Sequence, residues 1–121
     1  MWRVLIAMKS ELLSGPLSAA LCQHDVHTCS LGTDALAQIE SLHPQILILD
    51  LMLPGMDGIT LLQKSGYKPR IILALTNVLN QDVLAKAAAA GIQDVLLIPC
   101  TVPYILKRLN ILTEKYPSAE S

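Results

Sequence analysis

The sequence contains no phenylalanine, one tryptophan and three tyrosines. Its hydrophobic residues, 52% of the chain, are therefore mostly aliphatic. A core must be built from Leu, Ile, Val and Ala, side chains that suit helices layered on a sheet. Charge is scarce and balanced: nine Lys and Arg against ten Asp and Glu leave a net charge of −1. That balance excludes a nucleic-acid surface built on bulk positive charge. No apolar run reaches the about 18 residues that a membrane-spanning helix requires. Lys9 cuts short the apolar stretch near the start, so no signal peptide is read there. Cysteine is limited to Cys22, Cys29 and Cys100, an odd count without metal-ligand spacing. They read as small buried thiols of a reducing, cytoplasmic compartment. Repeats, low-complexity tracts and internal linkers are missing too. The 121 residues therefore read as one domain over 1–116, followed by a loose tail or linker start over 117–121.

What is present is organised around Gln45 to Gly58, QILILDLMLPGMDG. Ile46 to Leu49 is an unbroken apolar run, as expected of a strand buried on both faces in a parallel sheet. Asp50 follows at once, and Pro54-Gly55 and Met56-Asp57-Gly58 are turn signals. A carboxylate at the C-terminal end of a central parallel strand stands where open α/β sheets place their chemistry. On these residues alone it could equally serve only to cap the turn.

Taken in order, the chain alternates strand and helix five times. Arg3–Ala7 reads as a first strand, and a helix follows with its regular part beginning near Ser14 and Gly15, because Pro16 belongs in a first turn. Val26–Cys29 is a weak strand near an edge. Thr33–Leu42 is a helix with Thr33 or Gly32 as its cap. After the central strand come a short helix from Ile59, a strand over Arg70–Leu75 closed by Thr76, and a helix over Gln81–Ala90 with Gly91 at its C-cap. The last pair is a strand over Asp94–Ile98 and a helix over Pro103–Tyr116, with Lys107, Arg108 and Lys115 outward. Repeated βα units give a parallel sheet with helices on both faces. Five in this length fit a flavodoxin-like doubly wound (βα)5 fold, a five-stranded sheet in the order 2-1-3-4-5. The loops after Ala7, Asp50, Thr76 and Ile98 then gather at one end.

The run of apolar strand, Asp50, Leu53-Pro54 and Met56-Asp57-Gly58 resembles the phosphoacceptor segment of response-regulator receiver domains, and the resemblance extends from Arg3 to about Tyr116. It implies a two-component or phosphorelay signalling domain, not an enzyme, in which Asp50 accepts a phosphoryl group from a histidine kinase or phosphotransfer protein. Thr76 matches the hydroxyl that contacts the phosphoryl oxygens, and Asn77 and Lys9 are further candidates to contact phosphate. Pro99 matches the proline that follows the family's lysine.

The resemblance fails at three positions. The acidic pair that holds Mg²⁺ falls on Met8 and Lys9, and the lysine falls on Ile98. Met8 is a poor ligand for an ion that wants hard oxygen donors, and Lys9 repels it. A slipped register could bring Glu11 toward the site, at the cost of burying the wrong side chains of the first strand. Lys9 is either a solvated loop lysine or a built-in cation paired with Asp50. The aromatic often found in the family's fifth strand falls on Val95. The expectation is a pseudo-receiver with weak or absent Mg²⁺ binding, no other cofactor and no metal site. It would act through protein–protein contact, with an effector domain or a second copy meeting the Gln81–Tyr116 face. The alternative is a working phosphoprotein that switches an output such as transcription. A flavin or cobalamin enzyme on this fold finds little support. Met8-Lys9-Ser10-Glu11 is not a phosphate-binding loop, and His24, His27 and His43 lie away from the active end.

Overall fold

The computed structural model describes residues 1–117. Five strands, β1 (Arg3–Ala7), β2 (Asp25–Cys29), β3 (Ile46–Asp50), β4 (Ile71–Thr76) and β5 (Asp94–Leu97), alternate with five helices. These are α1 (Glu11–Ala20), α2 (Gly32–Leu42), α3 (Gly58–Lys64), α4 (Gln81–Ala89) and α5 (Val102–Lys115). The strands form one parallel sheet in the order β2-β1-β3-β4-β5. This is the doubly wound arrangement expected, with β3 fully buried at the centre and β2 at an edge.

Strand alternation divides the core in two. Leu5, Ala7, Leu47, Leu49, Ile72 and Ala74 face one cluster with Ala35, Ile39, Leu61 and Leu62 of α2 and α3. Val4, Ile6, Ile46, Ile48, Leu73 and Leu96 face the other, with Leu17 of α1 and Ile105, Leu109 and Leu112 of α5. Burying an aliphatic side chain stabilises by about 1.5–3 kcal/mol, so aliphatic burial carries these two layers, with Tyr67 packed at the margin of one and Trp2 and Tyr116 at the margin of the other.

Local differences from expectation have physical causes. α1 starts at Glu11, not near Ser14, and carries Pro16 inside it. Ser10 opens this helix with its carbonyl, which accepts from Leu13 and Ser14 N–H. Burial of Ser14 and Leu17 against the sheet offsets the missing proline donor. α2 has Leu31 at its N-cap, without a side-chain cap. Gly32 is instead the first helical residue, chosen because a Cβ there would fall on the carbonyl oxygen of Met56. α4 ends in a Schellman motif: Ile92 N–H donates to Ala87 O and Gly91 N–H to Ala88 O, with Gly91 at φ +86°. Ala90 is the cap residue and Gly91 follows it. β5 stops at Leu97, and the Ile98–Pro99 bond is cis. Arg108 does not point freely outward: its Nε donates to Asp94 Oδ2 at 2.7 Å, tying α5 to β5. Cys22 is exposed, while Cys29 and Cys100 are half-buried. Burial pushes the Cys29 thiol up to about 11, leaving it protonated at neutral pH. Of the expected tail, residues 118–121 lie outside the described residues. None of the described helices is long and apolar enough to cross a membrane.

Candidate functional site

The C-terminal ends of β1, β3, β4 and β5 meet at one edge of the sheet. Asp50, the last residue of β3, lies opposite Leu75, so Thr76 stands one step further along β4. Ladder-like bonds continue past the strand ends. Leu51 N–H donates to Leu75 O at 2.9 Å and Ile98 N–H to Thr76 O at 2.8 Å. Met8, just past β1, follows the residue that pairs with Leu49, which sets it beside Asp50. Both the strand end and the adjoining backbone are thus fixed before any ligand is considered.

Asp50 is only 4% exposed, and its Oδ1 accepts from the N–H of Met52 at 2.9 Å. The carboxylate does cap its turn, one of the two roles open to it from sequence. Thr76, 2% exposed, is also engaged locally. Its hydroxyl donates to Val78 O at 3.1 Å and accepts from Val78 N–H at 3.2 Å. Asn77 is exposed in the same loop.

The loop after Asp50 is held from several sides. Pro54 O accepts from Gly32 N–H at 2.9 Å, and Gly55 takes φ +86°. Asp57 caps α3, its Oδ1 accepting from Thr60 N–H at 2.9 Å and its Oδ2 from the Thr60 hydroxyl at 2.8 Å. Those bonds, the backbone one first, hold the Asp57 carboxyl below the usual carboxylate range. A Cβ on Gly58 would press on Leu51 and Leu49 side chains at 2.9 and 3.0 Å. The turn chemistry of PGMDG is therefore spent on placing the segment that follows the aspartate.

The three positions that depart from the resemblance are now located. Met8 is 2% exposed and belongs to the apolar cluster with Ile6, Leu17 and Leu96, against which Ile98 also packs. By alternation along β3, Asp50 falls on the same sheet face as Ile46 and Ile48 of that cluster. Lys9 is exposed, and no ion pair joins it to Asp50 among the described residues. Of its two readings, the solvated lysine is the one observed. β1 ends at Ala7 without a slip, and Glu11 is an exposed first residue of α1, beside a cleft it shares with Met8, Thr28 and Cys29.

The residues present do not fit Mg²⁺. Asp50 supplies a carboxylate at the end of β3, but the two positions just past β1 hold a thioether, Met8, and a lysine, Lys9, where further hard oxygen donors are needed. Among the described residues no group of three or more His, Cys, Asp and Glu is placed to hold a metal.

The sequence profile of the response regulator receiver domain matches residues 10–110. The chain belongs to that family. The matched stretch of this receiver domain contains Asp50 and Thr76 and begins just after Met8 and Lys9. It is 30% identical over 105 residues to a protein-glutamate methylesterase/protein-glutamine glutaminase 2 of Rhodopseudomonas palustris, covering 82% of this chain and 29% of that protein. It is 26% identical to the transcriptional regulatory protein TrcR of Mycobacterium tuberculosis, covering 93% of this chain and 46% of that one. The chain thus spans less than half the length of either curated relative. Among solved structures, the chemotaxis protein CheY4 of Vibrio cholerae superposes with a TM-score of 0.81 at 26% identity, covering 93% of this chain and 98% of that one.

The Asp50–Met52 bond follows the tendency of aspartate to bind the backbone two residues on, which the sequence offered as turn capping. The seat of Gly32 under Met56 had no local signal, because the two glycine-rich turns meet only in the folded chain.

Proposed function

We propose that this receiver domain is a pseudo-receiver that passes its signal through protein–protein contact rather than metal-assisted phosphorylation of Asp50. The observation that carries the reading is that Met8 and Ile98 both join one apolar cluster where phosphoryl chemistry wants charge. An anionic carboxylate attacking an anionic phosphoryl group needs cations to neutralise the transition state. Here Lys9, the lysine that follows Met8, is exposed to solvent. Candidate partners are a histidine kinase or phosphotransfer protein and an effector domain, in the cytoplasm, without direct nucleic-acid binding by this domain.

The surface we assign to partners, including a second copy of the chain, is the Gln81–Tyr116 face. Leu84 of α4, Leu97 of β5, and Tyr104 and Ile111 of α5 are all exposed there. Part of the Ala87–Ala90 run serves the core, since Ala87 and Ala90 are buried while Ala88 and Ala89 are free. On this reading Asp50→Ala leaves partner binding unchanged. Calorimetric titration with Mg²⁺ tests the reading. No heat of binding is expected at concentrations that saturate an ordinary receiver. Binding that disappears in Asp50→Ala would overturn it.

A second reading keeps Asp50 as a slow phosphoacceptor that switches an output such as transcription. In its favour, Asp50 and Thr76 still close the two neighbouring central strands. Thr76 would have to give up its bonds to Val78 to serve a phosphoryl group.

A further inference from the structure

Trp2, the chain's one tryptophan, stands just ahead of β1 and is held twice by the chain that leads into β2. Its carbonyl accepts from Asp25 N–H at 3.0 Å, an ordinary extension of the sheet ladder. Its own N–H donates to Nδ1 of His24 at 3.1 Å. A ring nitrogen that accepts a hydrogen bond carries no proton, so this bond requires a neutral imidazole protonated at Nε2. The imidazolium has no acceptor, and forming it would set two N–H donors against each other.

The surroundings offer the imidazolium little. Trp2 packs against the apolar cluster of α1 and α5. Trp2 and His24 line a cleft of about 340 Å³ with Leu106, Leu109, Asn110 and Thr113 of α5. From the start of the chain, His24 faces the positive amino terminus of Met1. From β2 the neighbouring carboxylate is Asp25, already bonded to Arg3 of β1 at 2.9 Å and to His27 at 3.0 Å. α5, and α1 with the loop after it, contribute no charged group to the cleft.

We propose that His24 is a pH-sensitive latch at the N-terminal end of the sheet: neutral, it holds Trp2 beside α5, and protonated, it releases Trp2 and opens the cleft. Partial burial, and then repulsion from the amino terminus, hold the His24 pKa below its ordinary value. A group whose folded pKa is depressed contributes stability that is present above the unfolded value, about 6.5. That contribution is lost as pH falls through the folded value.

Because Trp2 is the single tryptophan, its emission reports the latch directly. On acidification from about pH 8 to about pH 5, where histidines titrate, the emission should shift to the red with one midpoint below the ordinary histidine value. The shift should vanish in His24→Gln, whose side-chain oxygen accepts from Trp2 without titrating. It should be present at every pH in His24→Leu and unchanged in His27→Gln. Nitrogen NMR should find His24 protonated at Nε2 at neutral pH. A transition that survives in His24→Gln, or an Nδ1-protonated ring, would overturn the proposal. So would loss of far-ultraviolet ellipticity along the same midpoint, which would mark global unfolding.

Discussion

Asp50 and Met52 are joined by a 2.9 Å hydrogen bond in which the backbone N–H of Met52 donates to the aspartate's Oδ1. The bond turns the chain out of β3 and gives Asp50 a structural task that needs neither metal nor phosphate. The bond is part-buried, so leaving the Met52 N–H without its acceptor costs about 1 kcal/mol, the low end for an unsatisfied group. Asp50→Ala is therefore expected to lose about 1 kcal/mol of stability. Asp50→Asn, which keeps an acceptor for the Met52 N–H, should lose less than Asp50→Ala. Urea midpoints of the three proteins check this, and equal losses in both variants would contradict it.

The two glycines that bracket the site differ in what they would hit. A Cβ on Gly32 meets backbone, the carbonyl of Met56, whereas a Cβ on Gly58 meets the movable ends of Leu49 and Leu51. Gly32→Ala should therefore cost more than about 3 kcal/mol and unseat the loop after Asp50. Gly58→Ala should cost about 1–2 kcal/mol through overpacking. Thermal denaturation ranks the pair, and the opposite order would show that the loop can move off α2.

Asp57 caps α3, and the cap is a carboxylate with a lowered pKa. The Thr60 N–H, first among the causes, favours the charged form. Its contribution is present above the unfolded value, about 4, and is lost as pH falls through the folded value. Asp57→Asn retains an acceptor but cannot titrate, so the gap in stability between parent and variant should close below about pH 4. Asp57→Ala should lose about 1 kcal/mol at neutral pH. Denaturant curves at neutral and acid pH measure both effects.

α1 carries a weakness that is only partly removable. Gly15 sits inside the helix just before Pro16, without a positive φ and with nothing but its chain neighbours near an added Cβ. A Cβ there restricts the unfolded chain but presses on the Pro16 ring in the helical conformation. Gly15→Ala should therefore gain less than the about 0.5–1 kcal/mol of an ordinary helix glycine, and a full gain in melting temperature would show that the helix absorbs the clash.

The sequence legibly carried those parts of the fold that depend on neighbours in the chain. The four-residue apolar run before Asp50 announced the central strand, and five strand–helix alternations announced the sheet order. What it concealed depends on residues that meet late. Pro16 looked like a helix start because its local preference is strong, yet burial of Ser14 and Leu17 carries the helix through it. Arg108 looked solvated because Asp94 lies 14 residues away. At the site, Asp50, Met8 and Ile98 were each legible as residues. That the latter two belong to one apolar cluster emerges only when β1 and β5 close on the same face.

That shared cluster underlies the central claim, that Asp50 is not the seat of metal-assisted phosphorylation. The direct measurement is the intact mass of the protein after incubation with a small phosphodonor, with and without Mg²⁺, beside an ordinary receiver as control. The account predicts no phosphoryl adduct under conditions that modify the control. An adduct that requires Mg²⁺ and vanishes in Asp50→Ala would contradict it and make this a working phosphoacceptor despite Met8, Lys9 and Ile98.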